Sequence, residues 1–162
     1  MTQVAPVGPH PGVDTLFVGA LLWSTPADAA AVLALVHDDD VESSALAEVL
    51  AAVRRLHCAR KPHGPQLVLA ELQRAGRLRA HNGVAGQLQA ATTSGADPHA
   101  ARQYAGAVVA GSLRRRLESA GVALQAAARE APENDLRSHT TILARMLSDC
   151  DQRLSLLRDG QE

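Results

Sequence analysis

Small and aliphatic residues recur every three or four positions along a C-terminal stretch that makes up more than a third of the chain. Its first half runs from Pro98 to about Arg129 without a helix breaker stronger than an isolated glycine. The recurring positions are Gly106, Ala110, Leu113, Leu117, Ala120, Leu124 and Ala127, and then, after a turn at 130–134, Leu136, Thr140, Leu143, Leu147, Cys150, Leu154 and Leu157. Two heptad runs separated by a short turn predict an antiparallel helical hairpin.

The predicted seam between the two hairpin helices is built mainly from leucine. It comprises Leu113, Leu117, Leu124, Leu136, Leu143, Leu147, Leu154 and Leu157. A second helix of ~36 Å, at ~1.5 Å per residue, is too long for the hairpin to cover all of its own apolar surface. We expect the off-seam residues Val108, Val109, Ile142, Met146 and Leu156 to form a partner interface, and we favour self-association over complete burial by the rest of the chain.

Residues 13–97 predict a compact head of about five to six shorter helices, so the predicted fold class is all-α, with the hairpin at 98–158. Aromatic residues make up only 2% of the chain, and the core must therefore be built from aliphatic side chains and alanine. Thr25, Pro26 and Asp28 form one predicted helix start, and Asp97-Pro98 forms another. We expect residues 1–12 to be a flexible N-terminal segment and residues 159–162 to be a tail.

The charge balance argues against a dedicated nucleic-acid binder. Sixteen basic and seventeen acidic residues give a net charge of −1, whereas such binders depend on neutralising phosphates. A candidate basic patch, Arg114, Arg115 and Arg116, supports an alternative function as a small DNA-binding regulator. A solvated face or interface ion pairs account better for these arginines, so we expect direct nucleic-acid binding to be weak or absent.

Neither a metal site nor a catalytic site is predicted. The run Asp38-Asp39-Asp40 suits capping of the following helix better than calcium binding, because it lacks the alternating ligands and glycine of a calcium loop. His57, Cys58 and His63 form one loose trio, without the paired motifs of structural zinc sites. No set of acid, base and nucleophile converges, and we expect no cofactor and no enzymatic activity.

The cellular compartment is predicted from cysteine content and from the lack of signal-peptide and membrane-spanning patterns. Two cysteines are too few for a disulfide framework. Residues 1–12 have no apolar run of the kind that a signal peptide contains, and no apolar run approaches the ~20 residues that span a bilayer. We therefore expect a cytoplasmic protein without membrane contact.

Several local strings, in this order, resemble the N-terminal domain of the DnaB-family replicative DNA helicase. Residues 14–22 match an acidic residue, an apolar pair and a Gly-small-Leu-Leu string, and residues 70–78 match a helix ending in Leu-x-x-x-Gly-x-Leu. Asn82-Gly83 stands at the place of a Gly-Gly pair. Residues 103–105 and 113–117 match the Tyr-Ala and Leu-Arg-Arg-Leu strings of a long helix. The resemblance extends from about Val13 through the hairpin.

The resemblance implies a collar function: in that family, the head and hairpin pack with copies of themselves and receive primase or loader proteins. This chain departs from the family at Asp40-Val41-Glu42, where relatives have Asp-Phe-Tyr, and at Gly86-Gln87-Leu88. It also contains no phosphate-binding loop, since its single lysine, Lys61, lies between Arg60 and Pro62. The expected partners are therefore the chain itself, primase, the replicative helicase or a helicase loader, and any motor would be separate.

Overall fold

Seven α-helices form most of the part of the chain that this computed structural model describes, residues 11–79 and 83–159. They are α1 (Val13–Trp23), α2 (Pro26–Leu33), α3 (Ser44–Cys58), α4 (Pro65–Arg74), α5 (Val84–Thr92), α6 (Ala101–Glu130) and α7 (Glu133–Asp159), with 3₁₀ turns at Asp38–Asp40 and Pro98–Ala100. These ranges contain no strand, and the all-α prediction is confirmed. The predicted flexible segment up to residue 10, Asn82 and most of the predicted tail lie outside the described residues.

Helix starts follow the local sequence, with one correction. The Thr25 hydroxyl accepts the Asp28 N–H at 3.2 Å, and Pro26 opens α2, as predicted. The prediction that Asp38-Asp39-Asp40 cap α3 is wrong. Ser43 is the cap, because its hydroxyl accepts the Leu46 N–H at 3.3 Å. The three aspartates form a separate 3₁₀ turn, and ion pairs with arginine fix their side chains.

Helices α3 and α4 end in the same hydrogen-bonding pattern but with different residues at the left-handed position. In α4, Gly76 takes φ +65°, and the following N–H of Arg77 donates to the Leu72 carbonyl at 2.9 Å. In α3 the corresponding residue is Arg60, with φ +53°, and the N–H of Lys61 donates to the Leu56 carbonyl at 2.9 Å. Glycine is the usual residue here, and a side chain costs roughly 1 kcal/mol in this conformation.

The core forms around α1, which contacts α3, α5 and α6. Its fully buried side chains include Phe17, Val18 and Leu21. Gly19 makes this packing possible: a Cβ built on it would lie 2.2 Å from the Ser94 Oγ and 2.5 Å from the Ala91 carbonyl oxygen. The close approach of α1 to the end of α5 therefore requires a residue without a side chain.

The base of the hairpin belongs to the same core as the head. The buried cluster includes Ala101, Ala105, Val108 and Val109 of α6 and Cys150, Leu154 and Leu157 of α7. The packing thus crosses the boundary placed at residues 97 and 98. At the end of α7, the Arg102 guanidinium donates to the carbonyls of Leu157 and Leu156, at 3.1 and 2.6 Å. No helix in the described part of the chain is both long and apolar enough to cross a membrane.

A single buried carboxylate, that of Asp40, connects the head to both hairpin helices. It forms an ion pair with Arg153 of α7, and it accepts a hydrogen bond from the Ser112 hydroxyl of α6 at 2.7 Å. The His37 backbone N–H donates to it at 2.8 Å within the turn. Arg153 also donates to the Leu35 carbonyl at 3.1 Å. Both groups are more than nine-tenths buried. Arg153 also pairs with the exposed Asp149 carboxylate at 2.9 Å, and the Arg116 guanidinium lies 3.5 Å from the Asp40 carboxylate.

The ionised form of Asp40 is strongly favoured despite its burial. Desolvation alone would raise the pKa of this carboxyl. The hydrogen bonds from Arg153, the His37 N–H and the Ser112 hydroxyl, together with the positive charge of Arg153, outweigh that effect and lower the pKa below 3.8. The hub, which we define as Asp40, Ser112 and Arg153, is therefore a charged network at neutral pH.

Replacing Gly19 with alanine is expected to lower the free energy of unfolding by about 1–3 kcal/mol, because the new methyl group meets a backbone carbonyl that cannot rotate away. Gly121→Ala is the matched control: Gly121 lies in α6, and a Cβ there meets nothing within 4 Å. The control should raise the free energy of unfolding by about 0.5–1 kcal/mol. Urea denaturation measures both, and equal effects of the two substitutions would contradict the packing described for α1 and α5.

Asp40→Asn is expected to lower the free energy of unfolding by about 3–5 kcal/mol, because the buried Arg153 then keeps only the exposed Asp149 as a counter-charge. Adding Arg153→Met should cost less than the sum of the two single substitutions, since it removes the buried charge that Asp40 no longer balances. Asp39→Asn, at an exposed pair with Arg116, is the control and should cost less than about 1 kcal/mol. Additive effects of Asp40→Asn and Arg153→Met in urea denaturation would contradict the hub.

Candidate interaction surface

The distal end of the hairpin carries an apolar surface that the head does not cover. We call residues 117–142, the end of α6 and the beginning of α7, the hairpin tip. The exposed fractions of its large apolar side chains are 49% for Leu117, 70% for Val122, 40% for Leu124, 37% for Leu136 and 62% for Ile142. Val122 was missed by the seam analysis because it lies between heptad positions. Val122 is exposed on the same helix as Leu117 and Leu124, and the five exposed side chains together make the tip a candidate interaction surface.

The predicted partner interface divides into buried and exposed residues. Val108 and Val109 are buried in the core of the head, so their assignment to a partner interface is corrected. The reason is that the first turns of α6 pack against α1 and α2. Ile142 and Leu156 are exposed, and Met146 is half-buried.

Burial along the predicted seam falls with distance from the head. Leu154 and Leu157 are buried in the core, and Leu113 is half-buried and packs against it. Leu143 and Leu147 are half-buried, and Leu117, Leu124 and Leu136 are more than one-third exposed. The small residues Ala120 and Cys150 are buried between the long helices. The individual leucine pairings across the seam stay predictions.

Two of the three arginines in the candidate basic patch are engaged within the chain. Arg116 donates to Asp39 at 2.8 Å and to the Ser112 hydroxyl at 3.1 Å. Arg115 donates to the backbone carbonyl of Asp40. Only Arg114 of the three is exposed. Arg115 and Arg116 therefore connect α6 to the aspartate turn. Because they are engaged within the chain, the DNA-binding alternative is less favoured.

The aspartate turn also offers the arrangement closest to a metal site in the described ranges. Ligand atoms of His37, Asp39 and Asp40 lie within 4.8 Å of one another. Arg153 and Arg116 already neutralise the two carboxylates, and a cation would have to displace these guanidinium groups. The trio is therefore better explained as part of the arginine network. The signal that sequence reasoning missed was Arg153, a charge beside the seam residue Leu154.

The predicted trio His57, Cys58 and His63 differs in solvent exposure. Cys58 is exposed and His57 is half-buried, while His63 is buried between α3 and α4. The His63 Nε2 lies 3.1 Å from the Leu21 carbonyl oxygen of α1, which can only accept, so Nε2 carries the proton in the neutral ring. The buried Nδ1 has no hydrogen-bond partner among the described residues. His63 is thus a core residue that joins α1 to the α3–α4 loop.

The neutral form of His63 is the one that the fold favours. Burial is the main cause that lowers its pKa below 6.5, and the nearby His57 lowers it further. Hydrogen bonding to the backbone at Leu21 and Ser24 opposes these effects without outweighing them. Arg74 and Arg55 hold the pKa of Glu71, in α4, at about 2 through hydrogen bonds and charge.

These shifts predict two separate pH windows. For His63, whose folded pKa is lowered, stability is complete above the unfolded value of 6.5 and declines as the pH falls below it. Asp40 and Glu71 also have lowered pKa values, but as acids they lose stability only below about pH 4.5. His63→Gln should abolish the upper window and keep the lower one. Urea denaturation across the pH range measures this, and an unchanged upper window would refute the role given to His63.

The comparisons with known proteins agree with this architecture. No family model matches the chain, and no curated protein gives a significant match. Among solved structures, the chain is similar to the crystal structure of the N-terminal domain of DnaB helicase from Mycobacterium tuberculosis, with a TM-score of 0.70 and 26% sequence identity. The match covers 88% of this chain and 99% of that chain. The resemblance found in the sequence is therefore confirmed: this chain has the fold of the DnaB helicase N-terminal domain.

Proposed function

We propose that this chain is a non-catalytic protein-interaction module of DNA replication, acting in the cytoplasm. It associates with copies of itself and docks primase, the replicative helicase or a helicase loader. The likeness to the DnaB N-terminal domain over 99% of that domain supports the replication role. The observation that carries the self-association is the exposed apolar surface of the hairpin tip.

The composition of the tip supports a protein partner. Five large aliphatic side chains are exposed there on two packed helices, whereas the base of the same hairpin is buried. Groups of exposed large apolar side chains often mark a protein interface. A second hairpin packed against the first would remove Val122 and Ile142 from water without any change in the head.

Binding is also favoured over catalysis by the state of the charged side chains. The two buried acids, Asp40 and Glu71, are held ionised by arginines, so neither is poised to accept or donate a proton near neutral pH. The arginines that pair with them stabilise helix contacts. This arrangement suits a rigid docking domain.

Light scattering after gel filtration tests the self-association. The chain should elute with a mass above its monomer mass of 17.0 kDa at micromolar concentrations and approach that mass on dilution. Val122→Asp combined with Ile142→Asp should give a monomer with unchanged helicity, because charges at a packed apolar contact are costly to desolvate. Leu67→Asp is the matched control: Leu67 is 45% exposed but lies on α4.

Two results would count against this proposal. One is a wild-type mass of 17.0 kDa at every concentration up to hundreds of micromolar. The other is an equal loss of mass in the Leu67→Asp control. Biolayer interferometry with purified primase, helicase and loader then tests docking separately, and loss of all three interactions would leave only the self-association.

A further inference from the structure

An open groove lies at the C-terminal end of α3, remote in sequence from the hairpin tip. It has a volume of about 610 Å³, and the described residues that line it are Pro26, His57, Cys58, Arg60, Lys61 and Pro62. The two prolines and the cysteine supply an apolar floor and wall. Arg60 and Lys61 are exposed and place two positive charges at its edge.

The charges of the groove are of one sign. None of its described lining residues carries a carboxylate. Neither Arg60 nor Lys61 forms an ion pair with a residue in the described ranges, in contrast to Arg54 and Arg55, which lie earlier on α3. An apolar cleft with two cationic side chains that form no ion pair, Arg60 and Lys61, is complementary to an apolar side chain next to a carboxylate.

The backbone gives an independent reason to regard Arg60 as more than a structural residue. It occupies the left-handed position of the helix end at which α4 has Gly76. Glycine would serve the helix end better, since it takes this conformation without steric cost. The chain instead keeps a long cationic side chain there, beside the groove.

We propose that this groove binds a short peptide segment of a partner protein, which inserts an apolar side chain between the proline rings and places a carboxylate on Arg60 and Lys61. The groove is formed by α2, α3 and the loop after α3, so it is separate from the self-association surface at the end of α6 and the start of α7. A protein partner therefore docks on the head while the hairpin tip remains engaged with another copy.

A peptide fits the groove better than a nucleic acid does. Single-stranded nucleic acids are held by aromatic side chains on which bases stack, together with a track of cations along the backbone. The described lining has no aromatic ring other than the half-buried imidazole of His57, and it has two permanent cations. Pro26, Cys58 and Pro62 offer surface for an aliphatic or aromatic side chain.

A peptide probe for the groove can be selected from random short peptides displayed on phage, with the full chain as bait. Recovered sequences should combine an apolar residue with neighbouring aspartate or glutamate. A synthetic peptide from this selection should slow the reaction of Cys58 with a thiol reagent. Cys58 is exposed whereas Cys150 is fully buried, and the reaction therefore reports on the groove.

Substitutions of Arg60 separate binding from folding. Arg60→Gly and Arg60→Gln should both weaken peptide binding about five- to tenfold, measured by fluorescence polarisation, and remove most of its salt dependence. Arg60→Gly should leave the thermal midpoint unchanged or raise it, because glycine suits the helix end. Arg114→Gln, which removes an exposed arginine on α6, is the control and should bind as the wild type does.

Several results would overturn the proposal. They are recovery of no peptides or of peptides without acidic residues, unchanged reactivity of Cys58, or wild-type affinity of Arg60→Gly. Protection of Cys58 by a single-stranded oligonucleotide in place of the peptide would also overturn it, in favour of nucleic-acid binding. None of the Arg60 variants should alter the mass measured for self-association, because the groove and the hairpin tip are separate surfaces. Loss of peptide binding and loss of self-association can therefore be told apart.

Discussion

The structure depends on the buried ion pair between Asp40 and Arg153. This contact joins a 3₁₀ turn of the head to α7, and Ser112 brings α6 to the same carboxylate. Burial of either charge alone would be strongly unfavourable, so separating the two segments is costly. Aliphatic packing of Val108, Val109 and Leu157 supplies the apolar stabilisation around it.

Because the base of the hairpin is fixed to the head, the tip extends beyond the head. Helices α6 and α7 extend beyond the head, and the apolar side chains from Leu117 to Ile142 are left with only each other to pack against. A loosely attached hairpin could fold back and cover this surface, whereas a hairpin anchored by a buried charge pair cannot do so without breaking that pair. The tip is therefore left exposed at the far end of the hairpin, and the groove at the end of α3 lies on the head.

The sequence predicted the features that follow from local or periodic patterns. Heptad spacing predicted the hairpin, and Thr25-Pro26 predicted the start of α2. Features that depend on tertiary contacts were not predicted. Val108 and Val109 were assigned to a partner interface, but they are buried where α6 packs against α1 and α2. The aspartates looked like helix caps, since the arginines that pair with Asp39 and Asp40 lie more than seventy residues away. Long-range charge pairing leaves no local pattern to read.

Hydrogen exchange of the backbone amides at two protein concentrations distinguishes an anchored hairpin base from an associating tip. The anchored base, around Val108, Val109 and Leu154, should exchange as slowly as the core of the head at both concentrations, because it opens only with global unfolding. The tip, between Leu117 and Ile142, should exchange faster at low concentration and become protected at high concentration. Equal exchange of base and tip, or a tip insensitive to concentration, would contradict the anchored hairpin as an association device.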